Sequence, residues 1–250
     1  MSRFQLILEY DGSLFWGWQI QPAGLTVQGV LESALARLFG RPITLIGAGR
    51  TDSGVHATAQ VAHFDTPVDR PEREIVRALN ALTPDGVSIL SAKRVSAEFH
   101  ARYSACYREY QYRIFLRQEP PALDRNRVWH HPRSLDVAAM QKAGSYLVGT
   151  HDFSAFRAAS CSAPNPVRTL SKLQWQMEAD GYTLVLTVGA NAFLYHMVRN
   201  LVGSLVKVGL GSWPPIRIHE ILHSRDRTQA GPMAPACGLF LTKVSYPNPI

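Results

Sequence analysis

What most limits the folds open to this chain is a change of apolar period that occurs in both of its halves. Phe4, Leu6, Leu8 and Tyr10 alternate as a strand does, and the run stops at Asp11-Gly12. Val27, Val30, Leu31, Ala34, Leu35 and Leu38 then recur at helical spacing behind Thr26, whose side-chain oxygen suits a helix N-cap. Strand pattern returns over residues 60–64, a helix with Ile75, Val76 and Leu79 begins near Pro71, and residues 87–95 form another strand. In the second half Tyr110, Tyr112 and Ile114 alternate and residues 135–147 are helical. Residues 170–177 and 183–188 form strands joined by an Asp180-Gly181 hairpin turn. A nearly all-apolar helix over residues 195–208 should be buried, and a Pro215-led helix and a last strand over 239–246 close the chain.

Strands joined by short turns rather than helical crossovers predict an α+β fold. Two similar α/β halves, 1–105 and 106–250, are expected to share one largely antiparallel mixed sheet. Helices pack on that sheet, and the active-site cleft lies between the halves. The boundary falls near residues 103–108, and no Ser/Gly-rich linker marks it. At 250 residues and 46% hydrophobic content the chain can bury a substantial core. Its formal net charge of +7 favours a polyanionic partner, although an arginine excess also serves solubility. Cys106, Cys161 and Cys237 are odd in number and far apart, which argues against a disulfide framework or a Cys-x-x-Cys metal site and fits a reducing cytoplasm. The first residues run directly into a strand pattern, and no apolar stretch is long enough for a bilayer, so a soluble, unexported protein is expected.

Residues 47–57, Gly-Ala-Gly-Arg-Thr-Asp-Ser-Gly-Val-His-Ala, crowd three glycines, Arg50 and Asp52 into one short connection. Glycines allow positive φ or close approach, Arg50 can engage phosphate or a base, and Asp52 can act as nucleophile or base. The segment is neither a dinucleotide loop, which needs glycine where Asp52 stands, nor a P-loop, which ends in Gly-Lys-Ser/Thr. A carboxylate there repels phosphate, so the loop presents Asp52 rather than cradling an anion.

This string, with FQLILEYDG and FWGWQ before it and FHARYSACYREYQYRI, HDFSAF, NAFLYHMVRNLVG and GLFLTKVSYP after it, resembles the tRNA pseudouridine synthase A family over nearly the whole chain. The resemblance implies an isomerase that converts uridine to pseudouridine at positions 38–40 of the tRNA anticodon arm. It implies no cofactor and no metal, and a homodimer gripping one tRNA. Asp52 is then the nucleophile, attacking C1′ of the ribose or C6 of the base. Burial raises a carboxyl pKa, so a cation must hold it charged. Arg199 is a charge inside an apolar helix: it pairs with a structural acid, reaches the surface, or, as the resemblance implies, serves Asp52. Tyr110 and Tyr112 share a strand face and suit the core, while the resemblance places an active-site tyrosine at Tyr110, stacked on uracil or near its C5 proton. Leu239 suits strand core, or packing against the target base.

A uridine in a folded tRNA must be flipped out before attack, and Arg50 is close enough in sequence to Asp52 to fill the vacated gap or hold the phosphate. Arg108, Arg113, Arg125, Arg127, Arg133, Arg157 and Arg168 are candidates for a basic lining. Two rivals stand beside this reading. One is a non-catalytic RNA-binding protein, against which Asp52, Tyr110 and Arg199 all speak. The other is a zinc hydrolase built on His219, Glu220 and His223, which match H-E-x-x-H but have no histidine or glutamate downstream as third ligand.

Overall fold

The structure, a computed structural model that describes residues 1–247, is built from two units. The first unit runs from Met1 to Cys106 and also takes in the chain from Phe240 onward, whereas the second runs from Tyr107 to Leu239. The expected halves were 1–105 and 106–250, the last three residues of which lie outside those described.

In the first unit the opening alternation becomes β1 (Ser2–Tyr10), with Phe4, Leu6, Leu8 and Tyr10 all buried. Next come α1 (Val27–Phe39), β2 (Ile46–Gly47), β3 (His56–Thr66), α2 (Glu72–Leu82) and β4 (Val87–Val95). β1 lies between β3 and β4 and is antiparallel to both, and β2 pairs antiparallel with β3. Register sets Phe4 opposite Phe64, and the two rings stack at 5.6 Å. The Thr26 hydroxyl caps α1 by accepting from the Gly29 N–H, and the helix ends at Gly40 in the left-handed conformation. Val27, Leu31, Ala34 and Leu35 of α1 and Ile75 and Leu79 of α2 turn inward, burying the apolar stripe that defined each helix in the sequence.

The second unit contains β5 (Tyr107–Phe115), β6 (Trp129–His130), α3 (Val137–Ser145), β7 (Gly149–Asp152), β8 (Val167–Met177), β9 (Thr183–Ala190), α4 (Met197–Gly209) and α5 (Ile216–Ser224). Its strands run β5-β9-β8-β7 with antiparallel neighbours, and β6 pairs parallel with β5. The β8–β9 hairpin is longer than a two-residue turn: the Gly181 N–H closes on the Glu178 carbonyl, Gly181 is left-handed, and the Asp180 carboxylate accepts from Tyr182 and Thr183. α4 is almost wholly buried, as its composition requires.

The last strand, β10 (Leu239–Ser245), pairs parallel with β3, setting Phe240 beside His56 and Leu241 beside Ala57. The architecture is therefore α+β with largely antiparallel pairing. Two helix starts differ from expectation for local reasons. Asp136 caps α3 through the Ala139 N–H, so that helix begins at Val137. His196 has φ +61°, a left-handed conformation no helix continues through, so α4 begins at Met197 rather than 195. β2, β6 and β7 span two to four residues, too short to show a period.

Candidate active site

The loop after β2 is gripped from beneath. Its entry is fixed by the Ala48 N–H on the Val61 carbonyl, and the Gly49 carbonyl accepts from the Gln60 side chain at 2.9 Å. The Thr51 carbonyl accepts from the Trp18 N–H, and the Thr51 hydroxyl meets the buried Tyr10 hydroxyl at 2.8 Å. The Val55 N–H then closes a turn on the Asp52 carbonyl. Thr51 is buried, whereas Arg50 is exposed and Asp52 half-buried. Gly17 makes this approach possible: at φ +92°, an added Cβ would stand 2.7 Å from the Thr51 carbonyl oxygen. Next to the loop, His56 accepts the Gly12 N–H at Nδ1 and stacks on Phe240 at 4.5 Å.

In the second unit, β5 places Tyr110 and Tyr112 on one face as alternation predicted, but their surroundings differ. Tyr112 is fully buried and donates to the Pro235 carbonyl at 2.8 Å. Burial pushes its phenol well above the ordinary range, an effect Cys237 reinforces and Arg199 opposes. Tyr110 is packed edge-on by Phe193 at 5.1 Å.

Arg199 lies in the first turn of α4. Its Nε donates to the Ala234 carbonyl at 2.8 Å, while its own carbonyl accepts from the Ala234 N–H at 3.1 Å. Gly203 lets that segment run so close, since an added Cβ would meet the Pro232 carbonyl oxygen at 1.7 Å. Ser204 and Asn200 hold the rest of it, by accepting from the Gly231 N–H and from Arg227. The same chain then carries Pro235, Cys237 and Gly238 past Tyr112 and ends at Leu239, which is buried. Burial raises the Cys237 thiol pKa, and Arg199 opposes the rise.

The structure thus brings Arg50 and Asp52 together on the first unit's loop, and Arg199, Tyr112 and Leu239 around the 234–239 segment of the second. Four participants escaped the sequence reading: Tyr10, Gln60, Ala234 and Phe193. A tyrosine on an inward strand position has a hydroxyl needing a partner, which is the one signal that could have singled out Tyr10.

Of the candidate lining cations, Arg125, Arg127 and Arg133 are exposed and Arg113 is half-buried. Arg108, Arg157 and Arg168 donate to backbone carbonyls, of Asn191, of Ala163, and of Asn165 and Val167, respectively. Desolvation lowers the Arg168 pKa. On α5 the His219 and His223 rings lie 4.0 Å apart, His223 Nδ1 meets the His219 carbonyl, and Glu220 forms an ion pair with Arg217. Among the described residues, no group of three or more His, Cys, Asp or Glu side chains is placed to hold a metal ion, and no helix is long and apolar enough to cross a membrane.

Asp52 thus stands as a half-buried carboxylate on a braced loop in an α+β frame. The sequence pattern of the family described as "tRNA pseudouridine synthase" matches residues 6–104 and 143–247. The chain is 50% identical over 250 residues to a protein of Methylobacterium sp. (strain 4-46) named tRNA pseudouridine synthase A, covering 100% of this chain and 99% of that one. It is 49% identical over 247 residues to the one so named from Paramagnetospirillum magneticum (strain ATCC 700264 / AMB-1), covering 98% and 96%. The chain belongs to the tRNA pseudouridine synthase family and is an isomerase.

Proposed function

We propose that this enzyme converts uridine to pseudouridine at positions 38–40 of the tRNA anticodon arm, with Asp52 as nucleophile. The observation that supports the assignment is the loop itself: Gly49 and Thr51 are held by buried side chains, while Arg50 is exposed and Asp52 half-buried beside them. In the reaction the N1–C1′ bond breaks, the base turns, and C5 bonds to C1′. C5 loses its proton and N1 gains one, so substrate and product are isomers and the balance needs no oxidant, reductant or co-substrate. A carboxylate oxygen of Asp52 bonds to the nucleoside, at C1′ or C6, and is released when the new carbon–carbon bond is complete.

In this reading the other residues have separate roles. Arg199 serves Asp52 as a cationic partner, and Tyr110, steadied by Phe193, stacks on the uracil. Leu239 contributes an apolar surface for the base, and exposed Arg50 takes the space or the phosphate of the flipped nucleotide. The family resemblance also supports a homodimer acting in the cytoplasm, which light scattering of purified protein tests as to stoichiometry. The decisive experiment is pseudouridine mapping after incubation with an unmodified tRNA transcript. Asp52→Asn should bind the transcript with near-normal affinity and form no pseudouridine. Turnover by that variant overturns the assignment.

A further inference from the structure

Beneath the Asp52 loop lies a polar group that no backbone ladder requires. Gln60 is completely buried on β3, Tyr10 is 4% exposed at the end of β1, and Thr51 is 7% exposed in the loop. The Gln60 Oε1 accepts from the Val61 N–H at 3.2 Å, which fixes the amide so that Nε2 faces the loop. From there Nε2 donates to the Gly49 carbonyl at 2.9 Å and makes a long contact of 3.5 Å to the Tyr10 hydroxyl. Tyr10 meets the Thr51 hydroxyl at 2.8 Å, so one buried network reaches the loop on both sides of Arg50.

We propose that Tyr10, Gln60 and Thr51 form a positioning clamp that sets the height and direction of the Asp52 carboxylate. The inference rests on Asp52 being the nucleophile. Buried polar groups are costly unless satisfied, and a backbone segment could be covered more simply by apolar side chains. What this network adds is direction: hydroxyl-to-hydroxyl and amide-to-carbonyl bonds hold Gly49 and Thr51 to fixed points, and Asp52 is the next residue. A nucleophile displaced by about 1 Å loses on the order of 100-fold in rate. The three side chains therefore act through Asp52 and do not touch the uridine themselves.

The test separates positioning from stability by a two-residue cycle. Tyr10→Phe and Thr51→Val each remove one hydroxyl of the 2.8 Å pair, so each should lower the unfolding temperature and kcat. Their combination replaces both partners with apolar groups of similar shape and should regain thermal stability. Its kcat should stay low, about 10-fold or more below wild type, with tRNA affinity and KM little changed. Thr51→Ser keeps the hydroxyl and should recover most of the rate lost in Thr51→Val. All rates are measured well below the unfolding midpoints. A double variant whose kcat recovers together with its stability overturns the clamp, as do single variants with wild-type kcat. An active Asp52→Asn variant overturns the nucleophile reading instead, whatever the clamp variants do.

Discussion

The Asp52 loop and the start of α4 hold a charged residue in different ways. Asp52 is a half-buried loop residue whose neighbours Gly49 and Thr51 are tied down by Tyr10, Gln60 and Trp18. Arg199 is a helix residue whose own guanidinium is tied, through Nε, to a carbonyl 35 residues further along the chain. The first arrangement fixes a backbone that carries the carboxylate. The second fixes the side chain directly, because a cation in an apolar helix must be satisfied wherever it goes. Each depends on a glycine that admits a carbonyl group, Gly17 against Thr51 and Gly203 against Pro232.

Matched alanine substitutions at those glycines break the comparison where it is sharpest. Gly203→Ala would drive a methyl into a backbone carbonyl within the buried helix layer, and we expect a loss of about 3 kcal/mol in denaturant unfolding. Gly17→Ala should cost about 1–3 kcal/mol, from positive φ and the Thr51 contact, yet lower kcat more than its stability loss explains. If the two variants lose activity only in proportion to the unfolded fraction, the loop is not a positioning element.

Arg199→Met removes the guanidinium but leaves the Ala234 N–H on the Arg199 backbone carbonyl. Single-turnover rates at neutral pH should fall about 100-fold. Arg199→Lys should fall less, since charge is kept while the fork that reaches Ala234 is lost. A wild-type rate and pH profile for Arg199→Met would reduce its role to packing.

The smallest expected effect concerns the foot of the loop. His63 is buried, bonds to the backbone of Ile46 in β2, and accepts the Ala101 N–H at Nδ1. Burial first, then the nearby Arg3 charge, push its pKa down from 6.5 to about 4. The folded state therefore binds fewer protons than the unfolded state between these values, and stability falls as pH drops from 6.5 towards about 4. Above 6.5 the imidazole is neutral in both states and the penalty vanishes. In His63→Asn the difference in unfolding midpoint between pH 7 and pH 5 should shrink. An unchanged difference assigns the acid sensitivity to other groups.

Much of the frame was legible from local pattern. The inward set of β1 emerged at the expected positions, Thr26 capped α1, and α4 was buried because almost nothing in it is polar. Asp52 and Arg50 stood out because a loop that must turn sharply and present a charge leaves its glycines and its charge adjacent in sequence. Less was visible where the partner is remote. Neither Gln60 nor Ala234 carries a mark, since one is a strand glutamine and the other an alanine between Met233 and Pro235. The short strands β2, β6 and β7 were invisible because two to four residues cannot display a period.

By itself, then, the sequence determined which segments are strand or helix, which faces turn inward, and which loop presents a carboxylate, because those outcomes follow from spacings of a few residues. Tertiary structure alone decided that Tyr10 meets Thr51, that Gln60 holds Gly49, and that Ala234 receives Arg199. It also gave Tyr112 the Pro235 carbonyl and set Phe193 edge-on against Tyr110 on the same face. Hydrogen bonds are short and directional, so each of these pairings exists only once the strands and helices have packed and brought residues 11 to 123 positions apart within about 3 Å.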